Sequence, residues 1–366
     1  MCLPGNGITL VALVITIIVL LILAGITINL TVGQRGILTR AQEAGRNYQE
    51  AAKKEDEDLE KFLGEADNII AGINTPTTPS GDNYTMVDGV PVPKGFEHTE
   101  GTKETGFVIR DNSGTDTNGN EFVWVPCTEN GANGSIKYDR YAFSREGWTA
   151  TQTKTGEEIN VPHYGEYVFT ETMPSIEINS IKKYGGFYIG RYEVGIVGYD
   201  TEVKTSNTNK ETEWTGYSNG KAVVQKDRKV WNYITRDKAK KVAEGMYANN
   251  NAVISRLCSS YAWDTALQFI ETNHVGYATN SEGDNYLGEL KNTGIGSIPR
   301  NNIYDMGGNV MEWTTEVCSY QDRPCTRRGG DYYGTASVIP AGSRSYDSQT
   351  HANVYIGFRP TLFVGL

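Results

Sequence analysis

Thiols and imidazoles are the side chains best suited to metal and nucleophilic chemistry, and this chain groups few of them. Its cysteines, Cys2, Cys127, Cys258, Cys318 and Cys325, are an odd set at irregular spacing without a CxxC pair. A structural zinc site therefore lacks its pattern. Cys318 and Cys325 are near enough in sequence to close a small loop in an oxidising exterior, while Cys127 and Cys258 read as buried free thiols. The histidines stand apart at His98, His163, His274 and His351, so a His/carboxylate iron site has no clustered ligands. The richest chemistry lies in residues 331–356, DYYGTASVIPAGSRSYDSQTHANVYI. There stand Asp331, Tyr332, Tyr333, Ser337, Val338, Ile339, Ser343, Ser345, Tyr346, Asp347, His351, Val354 and Tyr355. Tyrosines on a framework of Ser, Gly and Asp are the chemistry of antibody loops, with large amphipathic contacts beside adaptable hydrogen bonders. These residues form the candidate ligand-binding face. The alternative for Tyr332, Val338 and Ile339 is that they fill the core.

Such side chains need elements to hold them. Glu121–Pro126 and residues 187–194 read as strands on aromatic and β-branched content. Residues 236–246 and Ser260–Glu271 read as short helices, the second capped by Ser259 or Ser260. The remainder is Gly-, Asn- and Thr-rich loop, and no period of ~20–50 residues repeats, which excludes a solenoid or propeller. With 41 Gly and 22 Tyr, the expected fold is loop-rich with an aromatic, polar surface. The formal charge of −10 argues against a nucleic-acid backbone as partner.

The amino terminus is of another kind. Residues 8–28, ITLVALVITIIVLLILAGITI, hold no charge, and Arg35 is the first charged side chain. At ~1.5 Å per residue this run spans ~31 Å, the thickness of a bilayer core. It reads as a retained membrane helix; a cleaved signal peptide is the alternative. From Ile37 to Ile70, apolar or small residues recur in steps of mostly three and four, one stripe of an amphipathic helix. Residues 72–95, with Pro76, Pro79, Pro91 and Pro93, read as a Pro/Thr/Gly spacer. The large domain occupies residues 90–366.

Two resemblances organise these readings. An apolar-then-amphipathic helix behind Gly7-Ile8-Thr9-Leu10-Val11 resembles type IV pilins and pseudopilins, whose leader peptidase would cut residues 1–7 away after Gly7 and expose Ile8. Ala12 stands where that family carries glutamate, and no base precedes Gly7. In the large domain GGFYIGRYEV, ISRLCSSYAWDTALQFI, NNIYDMGGNVMEWTTE, RGGDYY and IGFRP follow one another. That order resembles the formylglycine-generating, sulfatase-modifying family, and the likeness runs over roughly residues 90–363. It implies an α+β, C-type lectin-like fold with two helices. The family's enzymes oxidise cysteine with copper held by two cysteines between the RGG and GFR blocks, a stretch that has none here. The resemblance therefore implies a chain without that catalysis and with no required cofactor. Asp305 and Glu312 side chains with the Gly308 and Val310 carbonyls match the family's calcium ligands, and a hydrogen-bonded turn is the alternative. A tyrosine-rich segment between these anchors resembles the variable proteins of diversity-generating retroelements, which bind ligands through a rewritten carboxy-terminal repeat.

The expectation is a display protein whose helix anchors it in the membrane or in a pilus. Its domain lies on the extracellular side and binds a protein or other cell-surface ligand. The membrane and pilus subunits are the remaining partners. The alternatives are a pilin-type structural subunit without a specific ligand, or an oxidase of the sulfatase-modifying kind.

Overall fold

The computed structural model describes residues 83–141, 143, 158–160, 167–199, 220–281, 288–335 and 338–365. Of two units, Met1–Ser80 lies wholly outside the described residues, and Gly81–Leu366 contains all that follows. The expected leader 1–7 with Gly7 and Ile8, the helix 8–71, residues 72–82 of the spacer and Ser337 fall outside the described residues. Among the described residues, no helix is long and apolar enough to cross a membrane.

The first strands are β1 (Tyr84–Val87), β2 (Val90–Pro93), β3 (Phe96–Glu100), β4 (Val108–Asp111) and β5 (Glu121–Pro126). After β6 (Glu158–Asn160) and β7 (Val168–Thr170) come α1 (Ser175–Tyr184), β8 (Gly186–Gly190) and β9 (Gly195–Val197). Then follow β10 (Lys221–Val223), β11 (Lys229–Val230), α2 (Arg236–Gly245), β12 (Val253–Leu257) and α3 (Ser260–Glu271). The chain finishes with β13 (Met311–Cys318), β14 (Cys325–Arg328), β15 (Arg344–Asp347), β16 (Ile356–Phe358) and β17 (Pro360–Val364).

Two larger sheets carry the architecture, one ordered β12-β17-β8-β5-β4-β3 and the other β15-β14-β13-β7-β6, with β16 parallel to β13. Period-two alternation explains why the first is buried on both faces. Along β5, Phe122 and Trp124 enter one apolar cluster and Val123 and Val125 the other. The same split separates Leu362 and Val364 of β17 from Phe363. Helix α2 closes the first cluster with Ala239 and Ala243; α3 closes the second with Trp263, Ala266, Leu267 and Ile270.

Both expected helices form, and Ser259 is the cap of α3, its hydroxyl accepting from Ala262 N at 3.1 Å. Helix α1 was not legible because its buried face carries Glu177 and Ser180 beside Ile181, which breaks the apolar stripe. The expected strand 187–194 stops at Gly190. Part of the expected spacer is structured, since β1 and β2 form a hairpin with Val90 and Val92 in the core. Its two prolines are tolerated because a two-stranded ribbon is all edge. Of Gly307, Gly308, Gly329 and Gly330, only Gly329 has positive φ, +77°. A Cβ there would also stand 2.4 Å from Met306 O. In the neighbouring turn Asp305 (φ 64°) and Asn309 (φ 58°) take the left-handed positions instead.

Candidate ligand-binding site

The segment expected to bind is carried on β13, β14 and β15, and its support is ionic. Arg328 and Arg344 lie opposite each other in the β14–β15 register, both fully buried. Arg328 Nη2 donates to Asp264 Oδ1 at 2.5 Å; Arg344 bonds the other Asp264 oxygen and reaches Glu316 Oε1 at 3.0 Å. Arg140 bonds the same Glu316 carboxylate. Burial raises the Glu316 carboxyl, but the guanidiniums of Arg344, Arg140 and Arg328 outweigh it and bring it down to about 2. This network joins the expected binding segment to α3 and was invisible in sequence, where Arg344 sits among serines and tyrosines.

Strand alternation then divides the expected residues. Arg327 opposes Ser345 and Cys325 opposes Asp347, so these share one face of the sheet, while Thr326 and Tyr346 share the other with Arg328 and Arg344. On the first face Arg327 Nη2 lies 3.1 Å from Asp347 Oδ2 and its guanidinium covers the Tyr355 ring at 5.2 Å. His351 Nε2 approaches Asp347 Oδ2 at 3.6 Å. On the second face Tyr346 packs edge-on against Tyr167 at 5.2 Å and Tyr320 at 5.6 Å. The expected binding residues therefore do not form one face. A period of two within a four-residue strand makes that impossible.

The loop before β15 makes a third group. Asp331 is half-buried; its Oδ1 accepts from Tyr333 N at 2.9 Å and Gly334 N at 3.0 Å, which folds the turn. Burial raises its carboxyl, opposed by those two amides and by Arg327. Tyr333 is 65% exposed and stacks on buried Tyr332 at 4.2 Å. Tyr332 is thus a support, as the core alternative had it. Val338 is exposed, Ile339 packs under Gly334, and Asp347 is buried with its arginine. Ser343, Ser345, Val354 and Tyr355 are half-buried.

Sequence reading missed Tyr233, Arg327, Tyr167 and Tyr320. Tyr233 sits at φ 51°, strained for an aromatic residue, and Asn353 O accepts from its amide at 2.9 Å. Burial and the Tyr333 phenol raise its own hydroxyl. These four lie outside residues 331–356, so only the fold brings them to that segment.

The calcium reading does not fit. Glu312 presents both oxygens to Arg359, with Nε–Oε2 at 3.0 Å and Nη2–Oε1 at 2.6 Å. Asp305 Oδ2 accepts from Gly294 N at 2.8 Å, and Asp305 Oδ1 is buried without a partner. Glu193 Oε2, 3.9 Å from Arg359 Nη2, is likewise buried without a partner, and two orphaned oxygens beside a guanidinium are not the shell of six to eight oxygens that calcium takes. Among the described residues no group of three or more His, Cys, Asp or Glu side chains is disposed to hold a metal ion. The Gly308 amide instead donates to Asp305 O at 3.3 Å, and Glu312, in β13, is held by Arg359, which also donates to Gly190 O and Tyr304 O.

All four described cysteines are buried and free. Cys325 opposes Val317 rather than Cys318, so the hairpin turns the two thiols to opposite faces and no small disulfide loop closes. Burial pushes the Cys127 and Cys258 thiols well up and Cys325 to about 11. None is a ready thiolate.

The chain matches the sulfatase-modifying factor enzyme 1-like domain over residues 146–361. No curated protein matches it. Among solved structures it is similar to PvdO from Pseudomonas aeruginosa, at 14% identity over 50% of this chain and 82% of that one, TM-score 0.33. It is similar to Treponema denticola variable protein 1 at 11% identity, over 49% and 95% of the chains, TM-score 0.31. The U1 variant of Major Tropism Determinant gives 11%, 74%, 71% and 0.28. Likenesses this distant carry no argument about ligand or chemistry.

Proposed function

The chain belongs to the sulfatase-modifying factor enzyme 1-like family, with its mixed α/β, C-type lectin-like fold, and from that premise we propose that it is a ligand-binding protein and not an oxidase. One observation carries the reading. The segment that carries exposed Tyr333 and, with Arg327, the Asp347 and Tyr355 side chains is tied down at Arg344 by fully buried ionic pairs to Asp264 and Glu316. Rigid support beneath aromatic and polar side chains is how a binding surface keeps its ordering cost low. The missing cysteine pair and the protonated, buried thiols support the absence of copper–thiolate chemistry.

In this reading residues 331–355 form a diversified binding segment of the retroelement kind, and residues 8–28 anchor the chain with its domain on the extracellular side. The ligand is a protein or other cell-surface group. The test is to display the full chain, select a binder from a surface-protein library, and compare Tyr333→Ala and Tyr355→Ala with the parent. Aromatic contacts of this kind carry ~2 kcal/mol or more, so each variant should lose roughly thirtyfold in affinity. Unchanged affinity in both would sink the proposal. At the DNA level, a near-copy of the codons for residues 328–360, differing at adenines beside a reverse transcriptase gene, is expected. Its absence would return the domain to the reading of a structural subunit.

A further inference from the structure

In an Asn-Gly pair the main-chain nitrogen of the glycine can attack the asparagine side chain with little hindrance, because glycine has no Cβ to shield it. The chain has such pairs at Asn6, Asn118, Asn130, Asn133 and Asn219, and the described residues hold Asn118–Gly119, Asn130–Gly131 and Asn133–Gly134 complete. Asn118, Asn130 and Asn133 are all exposed, so access to water does not distinguish them. Their hydrogen bonds do.

The attack needs a free glycine N–H and a free asparagine side chain. At the first pair both are held: Gly119 N donates to Asp111 O at 2.8 Å, and Asn118 Oδ1 accepts from Gly114 N at 3.1 Å. At the second both are held again, with Gly131 N donating to Thr128 Oγ1 at 3.0 Å and Asn130 Oδ1 accepting from Ala132 N at 3.1 Å. The third pair differs. Among the described residues the Asn133 side chain has no hydrogen-bond partner, and the Gly134 amide makes no hydrogen bond of ordinary length and angle. Asn133 also sits at φ 56°, ψ 32° in the 3-10 turn Ala132–Gly134, a left-handed conformation whose strain is relieved on leaving it. Attack requires that departure, since rotation about the Cα–C bond must bring Gly134 N against Asn133 Cγ. Ser135 spans the turn, its amide and hydroxyl donating to Ala132 O at 3.1 and 2.6 Å. Exposed bonds of this kind are readily exchanged for water.

We propose that Asn133 is a site of spontaneous deamidation, the one of these three pairs that the folded domain leaves reactive. Gly134 N bonds to Asn133 Cγ, the Cγ–Nδ2 bond breaks, and the displaced nitrogen leaves as ammonia with the amide proton. Water then opens the cyclic imide. Opening at Cγ gives aspartate, and opening at the main-chain carbonyl gives isoaspartate, which carries the backbone through its side chain. Either product bears a negative charge that Asn133 lacked, so the exposed loop between β5 and β6 records the age of the chain.

The test is to age the full chain, held in detergent in mildly alkaline buffer, and to follow the three peptides by mass spectrometry beside a sample unfolded in guanidinium chloride. In the folded chain Asn133 should convert about tenfold faster than Asn118 or Asn130, whose attack must first break two hydrogen bonds. In the unfolded sample the three rates should draw together, because the dipeptide is the same. Asn133→Gln, whose longer side chain closes the ring slowly, should remove the fast conversion. A folded chain in which Asn118 or Asn130 keeps pace with Asn133 overturns the proposal. So does a lead for Asn133 that unfolding leaves unchanged.

Discussion

Glu171 shows how much one side chain can set the conditions under which this domain is stable. It is buried and accepts from Ser260 N at 2.7 Å, Ser260 Oγ at 2.5 Å and the Thr315 hydroxyl. Burial raises its carboxyl to about 7 against those three favourable bonds. The folded chain therefore holds this proton more tightly than the unfolded one, whose carboxyl titrates near 4.5. Stability from this group is complete below pH 4.5 and is lost as pH rises through about 7. The loss is on the order of 3 kcal/mol. Glu171→Gln should flatten that slope, read as the denaturation midpoint at pH 5 and pH 8. An equal slope in parent and variant would refute the assignment. Glu316 has the opposite sign, being held down near 2, so its contribution is present above pH 4.5 and fails only as pH falls through about 2.

At the scale of the element, β15 joins two roles in four residues. Arg344 points into the ionic frame, Tyr346 lies at that face's aromatic rim, and Ser345 and Asp347 turn to the opposite side. A mutation's effect should therefore follow its parity along the strand and not its place in the binding segment. Arg344→Met removes the guanidinium that Asp264 and Glu316 share, leaving them Arg328 and Arg140 alone, and should cost ~3–5 kcal/mol in chemical denaturation. Ser345→Ala, one residue on, should stay within ~0.5 kcal/mol. Similar costs at both positions would contradict the register. The same logic limits diversification, because a segment rewritten freely at Arg344 would lose its own support.

The whole molecule poses the question of the anchor. Residues 8–28 lack charge, so the full chain should partition with membranes, and a chain beginning near Gly72 should not. Lys in place of Val19 should cost ~2.5–3.5 kcal/mol of insertion. Membrane retention after removal of residues 1–35 would refute a single span. Mass spectrometry of the mature terminus separates a processed chain starting at Ile8 from an anchor that keeps Met1.

Much of the scaffold was legible because it rests on local or ordered signals. Ser259 followed by an apolar periodic run predicts α3, and five blocks in order predict the domain. Trp313, with its indole donating to Ile234 O at 2.8 Å, and fully buried Phe358 stand side by side in the β13–β16 register. By itself the sequence determined the fold class and the two capped or periodic helices. Only the tertiary structure decided which residues of the segment 331–356 face outward, that Arg359 takes up Glu312, and that Tyr233, Arg327, Tyr167 and Tyr320 join that segment. Side-chain parity depends on strand register, and charge pairing joins residues far apart in the chain, 47 apart for Arg359 and Glu312, 80 for Arg344 and Asp264 and 176 for Arg140 and Glu316. Neither leaves a trace in local periodicity.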